Sequence, residues 1–487
     1  MILASWLWAV VWAAETDPSA LADETFEEPL GPDRSAPPPV PLPVIKEFAE
    51  PERRTIHGME VWLMRVPGAR RVKIAALAAR GVHDMPKPPS SWRAMAWMAD
   101  AATEANDPEA LSQIEGVFDV TVRSEMVDHH GEIVVDAPRD ELDRALALWR
   151  DALREPVFPK VVLKRYVLNQ QLFYQVQGPS DPASVAALLM ANTWFPADHP
   201  YGERPDLELL ERLKVSSMPD QQREWLAESP VTVWVVGDVG WADVEGALTE
   251  ALDGIGTPGP RAQELPFDGP TGTHVRAAHL EGQEQVVITL RLHAPPDGGD
   301  AAATTMANFI LGGHFLSRLN ANLREEKGWT YGAGARYRRT RHFGTETIKV
   351  DVKAENLAAT VREIEVELAR LVSDGVTEDE LDMARRSFLS NHNQQMLNAD
   401  SAFGLALGAW LDEESMADQV ADVNGLLAVT PDDVKAVAAA HWGEGAARVW
   451  VFVGDRAAME PQLADLGLAT TWVEARDAIV GKVPAAQ

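Results

Sequence analysis

Apolar and polar positions along the chain fall into two sets of matching patterns. EIVVDA occupies residues 132–137 and TIKVDV residues 347–352, and their branched apolar residues predict strands. Leu142, Leu146 and Trp149 then recur at helical spacing, and Leu357, Val361 and Ile364 repeat them with an offset of 215. Further on, VWVVGD ends at Asp238 and WVFVGD at Asp455, an offset of 217. Each follows a helix signal with Pro just inside a polar cap, Ser217-Met218-Pro219-Asp220 and Thr430-Pro431-Asp432-Asp433. A unit of about 200 residues therefore occurs twice. Its mixture of hairpins and amphipathic helices predicts an α+β fold of two homologous half-domains, each a sheet with helices packed on one face.

The boundaries follow from composition. MILASWLWAVVWAAETD opens the chain with an apolar run in which Val11 and Ala13 suit cleavage before Ala14, so residues 1–13 read as a signal-like segment. No basic residue precedes the run, and a hydrophobic N-terminal tail stays open as the other account. Residues 14–44 are acidic and Pro-rich, including APPPVPLPV, and are expected to form a disordered tether. A Gly- and Pro-rich linker at 254–273 separates the half-domains, 45–253 and 274–480. No later segment has the length of a membrane span, so the expectation is an exported, periplasmic protein.

The 487 residues carry 44 Lys plus Arg against 74 Asp plus Glu, a net charge of −30, which argues against nucleic acid as a partner. The absence of cysteine removes thiolate metal sites, cysteine nucleophiles and disulfides together. Of the 12 histidines no two are four apart, so neither H-E-x-x-H nor H-x-x-E-H can exist, since both need two ligands on one helix face. His129, His130 and Glu132 lead into the IVVDA strand, where neighbours point to opposite faces, and are expected at a solvent-exposed strand end. There is no G-x-S-x-G elbow, and Gly254-Ile255-Gly256 leads into prolines rather than a helix.

The segment MANFILGGHFLSRLNANLREEKGWTYGAGARY, from Met306, carries an apolar stripe of Phe309, Leu316, Leu319 and Leu323. That spacing predicts one helix, stopped at Lys327-Gly328 before a strand. Beside it runs a small or polar stripe of Gly313, Ser317, Asn320 and Arg324, suited to line a cleft. Tyr331 begins the next strand, and the intervening turn would bring its hydroxyl near the guanidinium. A structural account stays open, because a cation in a last helical turn is favoured by the dipole and Tyr is common in strands.

The order ILGG, F, SRL, LRE, G, Y in this segment resembles the second-half signature of the insulinase and pitrilysin-type zinc peptidases, the inverzincins, which include mitochondrial processing peptidase. TIHGMEVWLM (55–64) is similar to that family's first hairpin, FPADHPYGERP (195–205) to its F-x-x-H-P-Y-G segment, and the paired VVGD and FVGD strands to its half-domain ends. The resemblance implies a clam-shell of two halves. In the family one part supplies H-x-x-E-H and a downstream Glu as zinc ligands and base, and another an Arg and a Tyr that grip the substrate carbonyl. Arg324 and Tyr331 fall on that pair. The zinc side departs from the pattern. SSWRAMAWMADAATEA (90–105) places Trp92, Met95 and Ala96 at the His, Glu and His positions, and FPKVVLKRYVLNQQ (158–171), which has no Glu, places Val162 at the last.

Some bacterial members of the family divide the labour between two chains. The resemblance thus implies a non-zinc subunit that recognises the carbonyl of peptide substrates, in a heterodimer with a homologous zinc-bearing partner, with no cofactor of its own. Two other classes stay open. One is a structural homologue, in which the pair is a relic; the other is a module that holds extended peptides on a sheet edge without cleaving them.

Overall fold

Strands whose apolar residues face both ways build two six-stranded sheets of nearly the same design. The computed structural model describes residues 42, 44–47, 49–86, 88–197, 199–202, 204–255, 267, 269–294, 300–339, 343–395 and 397–483. The signal-like segment, nearly all of the tether, and residues 256–266 of the linker lie outside the described residues. The first sheet comprises β1 (Glu52–Ile56), β2 (Met59–Arg65), β3 (Arg71–Ala78), β4 (Thr121–Met126), β5 (Gly131–Pro138) and β6 (Val231–Gly237) in the order β1-β2-β6-β3-β5-β4. The second comprises β7 (Thr273–His279), β8 (Gln285–Ala294), β9 (Ala333–Arg339), β10 (Gly344–Lys353), β11 (Arg448–Gly454) and β12 (Thr471–Glu474) in the order β12-β7-β11-β8-β10-β9. Five strands correspond one to one. In each half the returning strand, β6 or β11, lies parallel to the first of them and antiparallel to the next. The duplication fails only at the outer edge, where β1 pairs antiparallel with β2 but β12 parallel with β7.

The repeated helical patterns become Leu142–Arg154 and Leu357–Ser373, which bury Leu142, Leu146 and Trp149 and, in the repeat, Leu357, Val361 and Ile364. The Trp149 indole donates to the Ile133 carbonyl at 3.0 Å, fixing the helix on β5. Of the two cap signals, Thr430 forms a capping box with Asp433. Ser217 does not cap: its backbone is already helical, and its hydroxyl donates to the Lys214 carbonyl instead.

Each half packs its own helices on one face of its sheet, in separate cores. The other face is covered by a helix from the other half. Pro182–Trp194, capped by Asp181, lays Val185, Leu189, Met190 and Trp194 on Val287, Val449, Val451 and Val453 of the second sheet. Reciprocally Ala399–Asp412, capped by Asn398, lays Ala402, Leu405, Ala406 and Ala409 on Trp62, Ala75, Leu77 and Trp234 of the first. The need is visible in β6, whose seven residues are all buried, because a strand apolar on both faces requires two covers. Lys73 of β3 pins the exchange, with its ammonium 2.6 Å from Asp136 in its own sheet and 2.8 Å from Asp400 on the incoming helix. Residues 44–47 also cross over: Asn393 donates to the Val44 carbonyl and accepts from the Lys46 amide, both at 2.9 Å. Among the described residues no helix is long and apolar enough to cross a membrane.

Leu189 is fully buried on the opposite half's sheet. Leu189→Ala is expected to lower the unfolding free energy by about 2–5 kcal/mol. Because the contact joins the halves, denaturant melts followed by fluorescence and by limited proteolysis should show both halves losing protection together. Loss confined to the first half would contradict the coupling.

Candidate functional site

Three groups of residues bear on function, and the chain's local structure treats them differently. The first is the set that the sequence resemblance puts at the zinc-ligand positions. Trp92, Met95 and Ala96 lie on the helix Pro89–Ala99 and Val162 on Lys160–Leu172, and all four are buried in the core of the first half. Indole, thioether and aliphatic side chains packed in this way do not fit a zinc ion, which takes imidazole, carboxylate or thiolate ligands. Among the described residues no three His, Asp or Glu side chains gather into a metal-binding group.

The second group is the Arg324 and Tyr331 segment. The predicted single helix is two. Ala301–Asn308 continues as π-helical turns over Phe309–Gly313 and stops at His314, whose backbone is extended; Asn320–Glu326 is again π-helical. Gly312 is required at the break, since a Cβ there would lie 2.5 Å from the Ala335 amide nitrogen of β9. Leu319 and Leu323 are buried as predicted. Leu316 instead falls in the turn between the two pieces and is 66 % exposed, beside the exposed Phe315. The polar stripe does not line a cleft. Ser317 and Asn320 are buried, and the Asn320 amide donates to the His314 and Ala333 carbonyls while its oxygen accepts from the Ala333 amide, tying helix to strand.

Arg324 stands at the outer end of this stripe. Its guanidinium carbon lies 3.9 Å from the centre of the Phe315 ring and its Nη1 3.0 Å from Glu325. Gly328, in the left-handed region at φ +65°, closes the helix, with its amide donating to the Arg324 carbonyl at 3.1 Å. Tyr331 follows at 94 % exposure. No hydrogen bond joins it to Arg324, so the turn does not bring the two groups into contact within the chain.

The third group was missed by sequence reasoning. A cavity of about 1110 Å³ opens beside β4, the free edge of the first sheet, and reaches the end of β9 in the second half. The helices that carry the degenerate positions contribute Arg93, Trp97, Asp100 and Tyr166 to its wall, and β9 contributes Arg338 and Arg339. His129, His130 and Glu132 line it too, so they are partly buried in a cavity rather than solvent-exposed at a strand end. The reason is the FPADHPYGERP loop, which folds over that strand end. His129 is bonded through Nδ1 to Asp84 at 2.9 Å and through Nε2 to the Tyr201 hydroxyl. Tyr201 also stacks beside Phe195 and His199. Gly202 is tight against Pro196, whose carbonyl oxygen would lie 1.8 Å from a Cβ.

Burial dominates the electrostatics of this wall. It pushes the Asp100 carboxyl up to about 6, although the Ser124 amide donates to it at 3.0 Å. It also raises Glu132, helped by the charge of Glu125, and lowers His130. Tyr166 is pushed up to about 12, and Tyr201 higher still, by burial and then by Asp128 and Asp84. Burial works against Asp128 as well, but the hydrogen bond and charge of His83, together with the charges of Arg93 and His129, outweigh it and hold that carboxyl below its usual range. The Ser124 amide that Asp100 accepts belongs to β4, so Asp100 caps the middle of the free edge. Only the H-P-Y-G motif hinted at this cavity from sequence.

Residues 215–388 match the family described as the peptidase M16 inactive domain. A curated relative, the non-peptidase homologue YmxG of Helicobacter pylori, is 22 % identical over 267 residues, which is 53 % of this chain and 60 % of that protein, so the chain spans less than two thirds of it. Among solved structures, a peptidase M16 inactive domain from Pseudomonas fluorescens superposes with a TM-score of 0.72 at 20 % identity, covering 83 % of this chain and 98 % of that one. A protease from Helicobacter pylori gives 0.70 at 15 % identity, covering 84 % and 100 %. The periplasmic protease PqqL of Escherichia coli gives 0.70 at 14 %, covering 90 % of this chain and 51 % of that one. At these identities the structures establish the fold, two sheets in a clam-shell of two halves.

Two expectations follow from the geometry. Metal analysis of the purified chain should find no stoichiometric zinc, because apolar side chains fill the ligand positions; one tightly held ion per chain would contradict this. Asp100, with its carboxyl raised in the folded state, gives up stability as pH climbs from about 4 to about 6, since the folded form then holds a proton that the unfolded form has lost. Asp100→Asn should therefore raise the unfolding free energy at pH 8 by about 1–3 kcal/mol, and change it little at pH 4. Equal effects at both pH values would show that the buried charge is not the cause.

Proposed function

From a chain that is an M16, insulinase-type homologue without the zinc ligands, we propose a non-zinc subunit of a two-chain peptidase, exported to the periplasm. It presents Arg324 and Tyr331 to a peptide carbonyl, which is hydrolysed on a homologous partner that carries the metal. The peptide lies in the cavity beside β4. One observation carries this reading: Tyr331 is 94 % exposed with no partner among the described residues, and Phe315 and Leu316 are exposed too, with the Arg324 guanidinium resting on the Phe315 ring. Relics of a lost intramolecular site have no reason to be held at the surface, whereas groups that act on a partner's substrate must be there. The metal supplies the activated water when bound in the partner. This chain's share is to donate hydrogen bonds from the guanidinium and the phenol to the carbonyl oxygen as negative charge develops on it.

A peptide-holding module without hydrolysis is the second reading, and the cavity favours it equally. Against β-augmentation in its simplest form stands Asp100, which already occupies the Ser124 amide on the β4 edge.

Co-expression with a homologue that carries H-x-x-E-H is expected to give a 1:1 complex with peptidase activity absent from either chain alone. Within it, Arg324→Ala or Tyr331→Phe should lower kcat by about 10²–10³ with little change in peptide affinity. Melting temperature should stay unchanged for Tyr331→Phe, because that hydroxyl bonds nothing in the chain. Separate elution of the two chains with no gain in activity would leave only the peptide-holding and scaffold readings.

A further inference from the structure

The chamber-side face of β8, β9 and β10 carries guanidinium groups for which no described residue supplies a counter-ion. Arg336 and Arg338 alternate onto one face of β9. Across the ladder Arg336 pairs with Thr347 and Thr347 with Arg291, while Arg338 pairs with Thr345, so the three arginines share that face. The Arg291 guanidinium lies 5.5 Å from the centre of the Trp194 ring, and its Nε donates to the Thr347 hydroxyl at 3.3 Å. Burial, reinforced by the like charge of Arg338, lowers Arg291 to about 10. Arg339, next in sequence, has Glu414 at 3.3 Å and Asp412 at 3.8 Å. Among the described residues, Arg291, Arg336 and Arg338 have no carboxylate at ion-pair distance.

That arrangement is costly, since a desolvated guanidinium is held beside a like charge without an opposite one. It is also unexpected in a chain of net charge −30, where carboxylates outnumber cations. Arg338 lines the cavity, and across from it the first-half wall carries Asp100, Glu125, Asp128 and Glu132 against Arg93 and Arg123, an excess of carboxylates. Polyphosphates and nucleic acids, charged along their length, would extend to that wall and be repelled. A peptide with a single carboxylate can set it against Arg338, away from the acidic wall.

We propose that this face binds a carboxylate of the peptide in the chamber, either its C-terminal group or an Asp or Glu side chain, gripped by Arg338 with Arg291 behind it. The proposal rests on the reading that the cavity takes peptides, and adds which end or side chain of the peptide the second half recognises. Guanidinium and carboxylate match in planar, bidentate geometry, so the contact orients the peptide as well as holding it.

The test uses the full chain and a labelled, unstructured ten-residue peptide with a free C-terminus and one internal Glu. Three counterparts carry a C-terminal amide, a Glu→Gln change, or both, and binding is read by fluorescence anisotropy. Removing the recognised carboxylate should weaken binding to the natural chain about tenfold, and the two single changes identify which one it is. Arg338→Gln should weaken the parent peptide by the same factor and then bind all four peptides alike. Its melting temperature should be no lower than the natural chain's, since Arg338 is exposed, bonds no other described residue and repels Arg291. Equal affinity of the natural chain for all four peptides, or undiminished carboxylate sensitivity in Arg338→Gln, overturns the proposal while leaving the peptide reading intact. Failure of every peptide to bind the natural chain overturns both.

Discussion

Two sheets whose central strands are apolar on both faces must each be covered twice, and this chain meets that demand by exchanging one helix between its halves. The helix Pro182–Trp194 leaves the first half to seal the second sheet, and Ala399–Asp412 returns to seal the first. Everything functional is positioned by that exchange. Trp410 and Leu411, at the end of the returning helix, reach the cavity wall beside β4, and Trp194, at the end of the outgoing one, lies under Arg291 of β8.

The same frame accommodates the residues that the sequence resemblance puts at the zinc-ligand positions. Trp92, Met95, Ala96 and Val162 join the apolar core, so the loss of ligands costs no stability and leaves no buried charge to compensate. The neighbours of those positions remain polar: Arg93 and Asp100 on one helix and Tyr166 on the other still face the cavity. The first half thus pairs an apolar core at those positions with a polar wall on the cavity. The second half keeps Arg324 over Phe315 and Tyr331 in solvent, on elements whose π-helical turns and Asn320 bonds fix them to β9.

Much of this could be read from the sequence, and the rest could not, for identifiable reasons. EIVVDA and TIKVDV became β5 and β10, and the helices after them kept their buried faces, because amphipathic periodicity is a local signal. The exchanged helices gave no such signal. Pro182–Trp194 and Ala399–Asp412 are rich in Ala and apolar around much of their circumference, and the faces they cover lie in the other half of the chain. Leu316 was misplaced because the helix breaks where Gly312 comes close to β9, a tertiary requirement. His129 and His130 were put in solvent because the loop that covers them, around Tyr201, lies far along the chain. The cationic face escaped notice for a similar reason: Arg291 and Arg338 stand on different strands and meet only through β10.

The exchange also sets an order on the ribosome. The first sheet is complete once Gly237 has emerged, but its cover does not begin until Ala399, about 160 residues later. At ordinary synthesis rates of about 5–20 residues per second, the face bearing Trp62, Leu77 and Trp234 waits roughly 8 to 30 s without its helix. A large apolar sheet surface left open for that long is an aggregation hazard. The nascent chain therefore needs either a holdase or a compartment reached before folding begins, and a truncated first half would be an insoluble product rather than a smaller domain.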